Sequence, residues 1–566
     1  MAEEILGRLT GLGDGKFSGG PGTVAEIVGV DIRSTPGLTK VHQKLTRISH
    51  TPYSSSASTS PSASLSPSSS RSPSASSSIS PSASASSSSS ASLSPSVSLS
   101  PSASLSISPS ASQSPSASTS SSPSASRSPS ASVSLSVSPS AADDTVDALC
   151  KVRVPASNGY GYFFSSTSGK IWAVDGATVT LAYTTVPSAG GAQCLGAEEY
   201  NGYIYWATES RLHRIAIADA DDEWVNAVPN WQTFAITDEE FHPMAIQGSL
   251  QGRELFIGDG YQVASVNLED EFNNAALSTI EKEHRIKCMT DYENDVLMGT
   301  IVNGGVAKSA IFRWDTVSTT VTGKDTVEEE GVNAFIRDDN YMIANAGKSG
   351  NFYFYNGEAL EQYKRIPGDY SNTATVLVNP GSTANFNGSP VFGLSKASGN
   401  PALQGVYSFG NYSRDYEKSL TLDWPISEDV TANIHIGGIM VIDGLLYVAW
   451  GYSDETVFGI DRIDMSNKYE SAYFNTKMLF QNQRHVQKTL EEVAAYYNSL
   501  PSNTDITFSY SVNGAAFVAM TSVTDSFINE VRSQLKVPSI GSLQIKVAFT
   551  VSSNDAPTVE MFRFVV

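Results

Sequence analysis

The sequence Asn201-Gly202-Tyr203-Ile204-Tyr205-Trp206 contains a tight turn followed by a run of aromatic and β-branched residues. Asn-Gly between two apolar runs is a strong hairpin signal, because both residues tolerate the positive φ angles of a two-residue turn. Similar turns recur roughly every 48 residues, and they are Asn158-Gly159, Asn201-Gly202, Gly252-Arg253, Glu293-Asn294, Asp339-Asn340, Asn387-Gly388 and Asp443-Gly444. The pattern predicts seven copies of one unit.

Each unit contains short runs of residues typical of strands, and its apolar residues do not repeat with a helical period over a length that would form a helix. A repeat of ~40–50 residues built only of strands is typical of a propeller blade with four antiparallel strands. We therefore predict an all-β fold whose main part is a seven-bladed β-propeller over residues 142–467. Two strands within residues 23–53, at 24–32 and 39–48, are expected to associate with the propeller.

The repeat spacing stops near Lys468, and residues 468–566 are predicted to form a separate β-sandwich. Alternating apolar residues from Ile506 to Tyr510 and from Leu543 to Val551 indicate strands with one buried face. Residues 486–497 are ambiguous, because their apolar positions fit a helical face, although the flanking strands favour a β structure.

A low-complexity Ser/Pro/Ala tract interrupts the N-terminal region at residues 54–141, and every even position from Ser54 to Ser140 is serine. Such composition is typical of a disordered spacer. The alternative is a strand-like segment, since all of its prolines lie on odd positions and leave one edge free to pair. The glycine-rich residues 1–22 are expected to form a flexible arm.

The formal net charge of −21 argues against nucleic acid as the main partner, because phosphate repels an acidic surface. The sequence has no apolar run of the length that spans a membrane, and its start lacks the features of a signal peptide. We therefore expect synthesis in a host cytoplasm and no membrane insertion.

Motifs for catalysis or cofactor binding are missing from the sequence, and no cofactor is expected. A weak metal candidate is the acidic group of Asp219, Asp221 and Asp222, which lacks the glycine and distal glutamate of a calcium loop. A solvated loop is the competing interpretation. Cys150, Cys194 and Cys288 precede the first turns of three different copies, which predicts buried free thiols on inner strands.

Several segments carry a resemblance to a known class of proteins. Residues 29–38 (GVDIRSTPGL), the Asn-Gly-Tyr turns, residues 210–215 (SRLHRI) and residues 404–410 (QGVYSFG) resemble bacteriophage tail-associated propeller proteins. Residues 500–504 and 554–559 are similar to the sandwich modules that end such virion proteins. The resemblance implies a structural particle protein, arranged in a ring of copies, with no catalytic residues to transfer.

Three functions follow as hypotheses, of which a secreted adhesin with a glycosylated stalk is disfavoured by the acidic start of the sequence. The first is a non-enzymatic component of a virion that assembles with other tail proteins and contacts the host surface. The second is a carbohydrate-binding or carbohydrate-cleaving surface protein, for which two carboxylates at roughly 5–10 Å in one axial pocket would be the sign.

Overall fold

The structure is a computed structural model that describes residues 4–7, 11–12, 23–32, 38–48 and 146–565. Within the last range the description omits residues 186–192, 237–238, 251, 303–307, 339–340, 358, 367–375, 397–403, 411–418, 428–432, 453–456, 477–487 and 540–541. The low-complexity tract at residues 54–141 lies outside the described residues, so both predictions for it stay predictions.

The described residues form an all-β structure with one short 3₁₀ helix at Ile217–Asp219. Among them, no helix has the length and hydrophobicity needed to cross a membrane. Sheets I to IV are antiparallel meanders of four strands each. Their bounds are Cys150–Pro155, Gly161–Ser165, Lys170–Asp175 and Thr178–Thr184 (I); Gly196–Tyr200, Tyr203–Ala207, Arg211–Ala216 and Val228–Thr233 (II); Met244–Ser249, Gly252–Asp259, Gln262–Val266 and Phe272–Leu277 (III); His284–Tyr292, Asp295–Val302, Ser309–Trp314 and Gly323–Val327 (IV).

Sheets V to VII continue the series, but sheet VII takes its last strand from the N-terminal region. Their bounds are Val332–Asp338, Tyr341–Ala346, Asn351–Tyr355 and Leu360–Arg365 (V); Val376–Phe386, Ser389–Lys396, Gly405–Gly410 and Ser419–Trp424 (VI); Ile434–Ile442, Leu445–Tyr452, Phe458–Lys468 and Gln43–Arg47 (VII). The first strand of each sheet contacts the first strand of the next, and that of sheet VII contacts that of sheet I. The first strands therefore form a closed inner ring.

Local sequence explains the tight turns between the first and second strands. Asn201-Gly202, Asn387-Gly388 and Asp443-Gly444 have positive φ at both positions, as turns of this type require. At the turn predicted at Gly252-Arg253 the structure differs: both residues already pair with the first strand, Gly252 with Ser249 and Arg253 with Gly248, so they belong to the second strand.

The N-terminal strand Gln43–Arg47 closes the ring of sheets. It pairs antiparallel with Phe458–Lys468, so the two ends of the repeat region meet in one sheet. Leu45 points into the core with Ile434, Val448 and Ile463 and is only 3% exposed. Gln43–Arg47 therefore belongs to the same sheet as the last strands of the repeat region.

A second N-terminal strand, Thr23–Val28, joins sheet VI to the C-terminal region. It pairs in parallel with Ser419–Trp424 and antiparallel with Tyr473–Thr476. The result is a continuous ten-stranded sheet that also contains Leu543–Thr550, Asp505–Val512, Val518–Ala519 and, beside Thr23–Val28, Gly11–Leu12. The boundary predicted at residues 467/468 thus separates segments that share a sheet.

A five-stranded sheet lies in the C-terminal region, with the strand order Glu4–Gly7, Thr558–Val565, Lys488–Ser499, Glu530–Ser539 and Val523–Asp525. The ambiguous residues 486–497 fall largely in the strand Lys488–Ser499, because strands pair with both of its edges. The segment predicted to be a flexible arm contributes the short strands Glu4–Gly7 and Gly11–Leu12. Val30–Asp31 and Lys40–Val41 form a small separate pair.

One hydrophobic cluster connects the repeat region to the C-terminal region. Phe352 of sheet V and Tyr407 of sheet VI belong to the same buried cluster as Phe474, Val547 and Phe562. Burial of such side chains stabilises the fold by roughly 1.5–3 kcal/mol each. The two regions are therefore joined by shared packing as well as by backbone pairing.

Candidate functional site

Polar side chains from several sheets converge inside the ring of first strands. Arg153 of sheet I donates a hydrogen bond from Nη2 to the backbone oxygen of Thr383 in sheet VI, at 2.9 Å. Sheet VII lies between these two sheets in the ring, yet the first strands of sheets I and VI are also in contact, so this bond joins two first strands that are not consecutive. The Nε atom of Arg153 is buried and makes no hydrogen bond within the described residues.

Burial lowers the pKa of Arg153, and the negative charge of Glu198 in sheet II opposes that shift. Burial raises the pKa of Glu198 to about 7, and the positive charge of Arg153 opposes that rise. The neighbouring carboxylates Glu199 and Asp291 raise the pKa further. Glu198 therefore changes its protonation state near neutral pH, unlike an ordinary surface glutamate.

Asp291 of sheet IV and Arg337 of sheet V form an ion pair, with 2.7 Å between Oδ2 and Nη1. The Arg337 side chain is 65% exposed and that of Asp291 is 41% exposed. This pair places the cluster within reach of solvent. We call Arg153, Glu198, Asp291 and Arg337 the axial cluster; its members come from four different sheets.

A second set of polar side chains lies nearer the start of the first strands. Lys287 of sheet IV donates a hydrogen bond to Oδ1 of Asn333 in sheet V, at 2.8 Å. Burial lowers the pKa of Lys287, and the positive charges of Lys151 and Lys348 lower it further, while Cys288 and Glu330 oppose this. The ring of first strands thus contains positively charged side chains in both the axial cluster and this second set.

The axial cluster is capable of two kinds of chemistry. A carboxyl group with a pKa near 7 is able to exchange a proton with a ligand, and a guanidinium with a free N–H is able to bind an oxygen atom. The same charges also compensate one another across the ring, which is the structural use of such residues.

Glu198→Gln gives a pH-dependent prediction. The pKa of Glu198 rises from 4.5 in the unfolded chain to about 7 in the folded protein, so the folded state retains a proton that the unfolded state loses between these values. The free energy of unfolding therefore falls as pH increases through this interval. We expect the neutral variant to lose less stability than the native protein between pH 4.5 and 8.

Urea unfolding at a series of pH values measures this difference. The acid end of the range is an internal control. There both folded proteins carry a neutral side chain at position 198, so the difference between them does not come from the charge of Glu198. Parallel stability curves over the whole range would contradict the raised pKa.

Asp219, Asp221 and Asp222 lie around the 3₁₀ helix and the loop after it in sheet II. Asp221 accepts a hydrogen bond from the backbone N–H of Glu223 at 2.9 Å, as in a solvated turn. These three carboxylates are not among the described residues whose potential metal-ligand atoms lie within 4.8 Å of one another. The structure does not bring them together.

A different group, Glu281, Glu283 and His284, has its donor atoms within that distance. Glu281 is already paired with Lys324, and the Nδ1 atom of His284 is 2.8 Å from Oγ1 of Thr300. Because these partners already satisfy two of the three side chains, the group is explained as a local ion-pair network.

The three cysteines are buried and free, as predicted. Cys150 and Cys288 lie in first strands, while Cys194 precedes the first strand of sheet II by two residues. Burial raises the pKa of all three thiols above its usual range. They therefore remain protonated and behave as small core residues.

The sequence analysis did not find the axial cluster. Its members are separated by tens of residues and match no motif. The available signal was positional: each one is a charged residue in the first strand of its repeat, shortly before the predicted turn. Recognising that signal required the knowledge that first strands line the ring.

No protein-family model matches the chain, and no curated protein matches its sequence. Solved structures that resemble it are β-propeller proteins. A streptogramin B lyase structure is 10% identical, covers 56% of this chain and 94% of its own, and has a TM-score of 0.37. The WD40 β-propeller domain of Doa1 is 12% identical over 56% of this chain and 92% of its own, with a TM-score of 0.34.

A virginiamycin B lyase from Staphylococcus aureus is 11% identical over 56% of this chain and 94% of its own, with a TM-score of 0.35. At these identities and TM-scores the likeness concerns the general fold and carries no argument about function. The coarse conclusion is an all-β chain with four-stranded sheets of the β-propeller kind.

Proposed function

We propose that the chain is a seven-bladed β-propeller joined to a C-terminal β-sandwich, and that it serves as a non-enzymatic structural component of a virus particle associated with a phage tail. Its partners would be other tail proteins and further copies of the same chain. The closed succession of first strands supports the blade number. The two C-terminal sheets with a shared core support the sandwich.

The observation that carries the structural role is the continuous ten-stranded sheet. Thr23–Val28 lies between Ser419–Trp424 and Tyr473–Thr476, so the sixth blade extends directly into the C-terminal module. A component of a symmetric particle has to hold its contact surfaces at fixed relative positions, and a shared sheet with a shared core provides that rigidity.

The pairing inside the axial cluster supports the same role. Arg153 bonds to the backbone of Thr383, and Arg337 pairs with Asp291. Bonds between different sheets hold the blades of a propeller together around its centre.

Purified particles from the source material provide the test. We expect peptides of this chain in mass spectra of gradient-purified particles, and density for the propeller and sandwich in cryo-electron microscopy maps near the tail. Matched fractions from material without particles serve as the control. Recovery of the chain only as free protein would refute the particle role.

A second function is a carbohydrate-directed role at the axial cluster, and Glu198 is the observation that favours it. Its pKa of about 7 suits a general acid, and the charge of Asp291 acts on it from another sheet. If this role holds, a glycan array should reveal a ligand that Glu198→Gln and Arg153→Met no longer bind. Binding that survives both substitutions, or none at all, would exclude the axial site.

A further inference from the structure

Four first strands share a one-residue β-bulge near their starts. In sheet I the register shifts between Cys150 and Val152, so Lys151 is an extra residue without a counterpart in the second strand. Sheets IV, V and VII contain the same kind of shift, and their extra residues are Lys287, Asn333 and Gly437. A β-bulge re-aims the side chain it carries, and bulges are over-represented beside functional sites. Two of the four bulged residues are lysines.

Hydrogen bonds fix the lysine of sheet IV against sheet V. Lys287 donates from Nζ to Oδ1 of Asn333 at 2.8 Å, and Nδ2 of Asn333 donates to the backbone oxygen of Gly347 at 2.7 Å. Lys348 follows Gly347 in the chain, and its Nζ is 2.7 Å from Oε2 of Glu330. The Lys348 side chain is 58% exposed, so this part of the ring is open to solvent.

Lys151 supplies a third ammonium group from the bulge of sheet I. Its side chain is exposed, and among the described residues its ammonium group forms no ion pair or hydrogen bond. The positive charges of Lys151 and Lys348 both act on Lys287. The three lysines, which we call the lysine group, therefore face a common region although they come from sheets I, V and IV.

The positive charges of the lysine group are only partly compensated by the protein. Burial lowers the pKa of Lys287, and the charges of Lys151 and Lys348 lower it further, while Cys288 and Glu330 oppose this. Glu330 is the one carboxylate among these described neighbours of Lys287, and it is already paired with Lys348. An anion between the lysines would relieve their mutual repulsion.

We propose that the ring of first strands binds a small multivalent oxyanion of the phosphate class at Lys151, Lys287 and Lys348. Lysine binds phosphate as a point charge, and three ammonium groups from different sheets suit the several charged oxygens of one ligand. The ligand supplies the negative charge that the lysine group lacks. This inference goes beyond the proposed structural role, and it uses no residue of the axial cluster.

The charge of the whole chain limits the size of this ligand. The formal net charge is −21, so a long polyanion such as nucleic acid would be repelled by the surface around the ring. A small oxyanion contacts the lysine group without lying against that surface. The local excess of positive charge therefore selects a compact anion.

Isothermal titration of the purified full chain with inorganic pyrophosphate at low ionic strength tests the inference. We expect one saturable site, and a dissociation constant at least ~10-fold higher for Lys151→Met and for Lys287→Met, because each substitution removes one charge-assisted contact. Lys151→Met is the decisive variant. Its ammonium group has no partner to lose among the described residues, so the substitution leaves the fold intact.

Lys324→Met is the matched control. Lys324 lies in the fourth strand of sheet IV, away from the ring of first strands, and its loss changes the net charge of the chain by the same amount. We expect its dissociation constant for pyrophosphate to stay within ~2-fold of the native value, because surface charges beyond the screening length have little effect.

A second titration with methyl diphosphate distinguishes a free ion from a phosphate group on a larger molecule. Equal affinity for the ester assigns the site to a phosphate group carried by a larger ligand, and much weaker binding assigns it to the free ion. Both results support the inference.

The inference would be overturned by a native chain that shows no saturable binding at about 1 mM pyrophosphate. Binding that survives both Lys151→Met and Lys287→Met, or that Lys324→Met weakens equally, would also overturn it. These titrations use the isolated chain, so they are independent of the particle experiment. A chain that binds pyrophosphate but is missing from particles would refute the proposed function and leave this site intact.

Discussion

Leu45→Ala is expected to lower the free energy of unfolding by about 2–5 kcal/mol, because it removes a core side chain from the strand that completes sheet VII. Leu45 is 3% exposed and packs with Ile434, Val448 and Ile463. Its strand, Gln43–Arg47, pairs with Phe458–Lys468 across more than 400 residues of sequence. Weakening it therefore loosens the strand pairing that completes sheet VII on that edge.

Equilibrium unfolding in urea measures the effect, with the midpoint and the slope recorded separately. Thr46→Ala is the matched control, because Thr46 is exposed on the same strand. We expect the control to change the free energy of unfolding by no more than ~0.5 kcal/mol. If Leu45→Ala lowered the free energy of unfolding no more than Thr46→Ala does, the strand would contribute no core packing to sheet VII.

Gly196→Ala is expected to destabilise the protein by about 3 kcal/mol or more through a backbone clash. A Cβ atom at position 196 would lie 1.7 Å from the backbone oxygen of His242. His242 is fully buried and donates its backbone N–H to Leu195 at 3.1 Å, so neither chain segment is free to retreat. Overpacking against a fixed backbone forces the junction between sheets II and III apart.

Gly248→Ala is the control for this second substitution. A Cβ atom at position 248 meets nothing within 4 Å, and the residue has no positive φ. We expect this variant to be as stable as the native protein or up to ~1 kcal/mol more stable, since alanine restricts the unfolded chain. Thermal unfolding of both variants makes the comparison. A stable Gly196→Ala protein would mean that the two sheets do not meet as closely as described.

Local sequence was a good guide to the hairpins. Asn201-Gly202 and Asp443-Gly444 form turns with positive φ, because these residue types accept that conformation at low cost. The alternation from Ile506 to Tyr510 likewise corresponds to Asp505–Val512, a strand with one buried face. In both cases the controlling interactions lie within a few residues, so the sequence carries the information directly.

Local sequence was a poor guide wherever a strand depends on distant partners. Lys488–Ser499 has apolar positions that fit a helix, yet pairing with Glu530–Ser539 and Thr558–Val565 makes it a strand. The residues of the axial cluster match no local motif. Arg153 and Glu198 become neighbours only because two repeats place their first strands side by side around one ring.

The amino-acid sequence alone established the all-β class, the repeat and the positions of most tight turns, because turn geometry and strand periodicity are short-range properties. The tertiary structure was needed to place Gln43–Arg47 in sheet VII, to run one sheet from sheet VI through Thr23–Val28 into the C-terminal module, and to assemble the axial cluster. These features depend on which strand edges remain unpaired after the local sheets form. Edge pairing is a property of the whole chain, since any exposed edge offers the same backbone donors and acceptors.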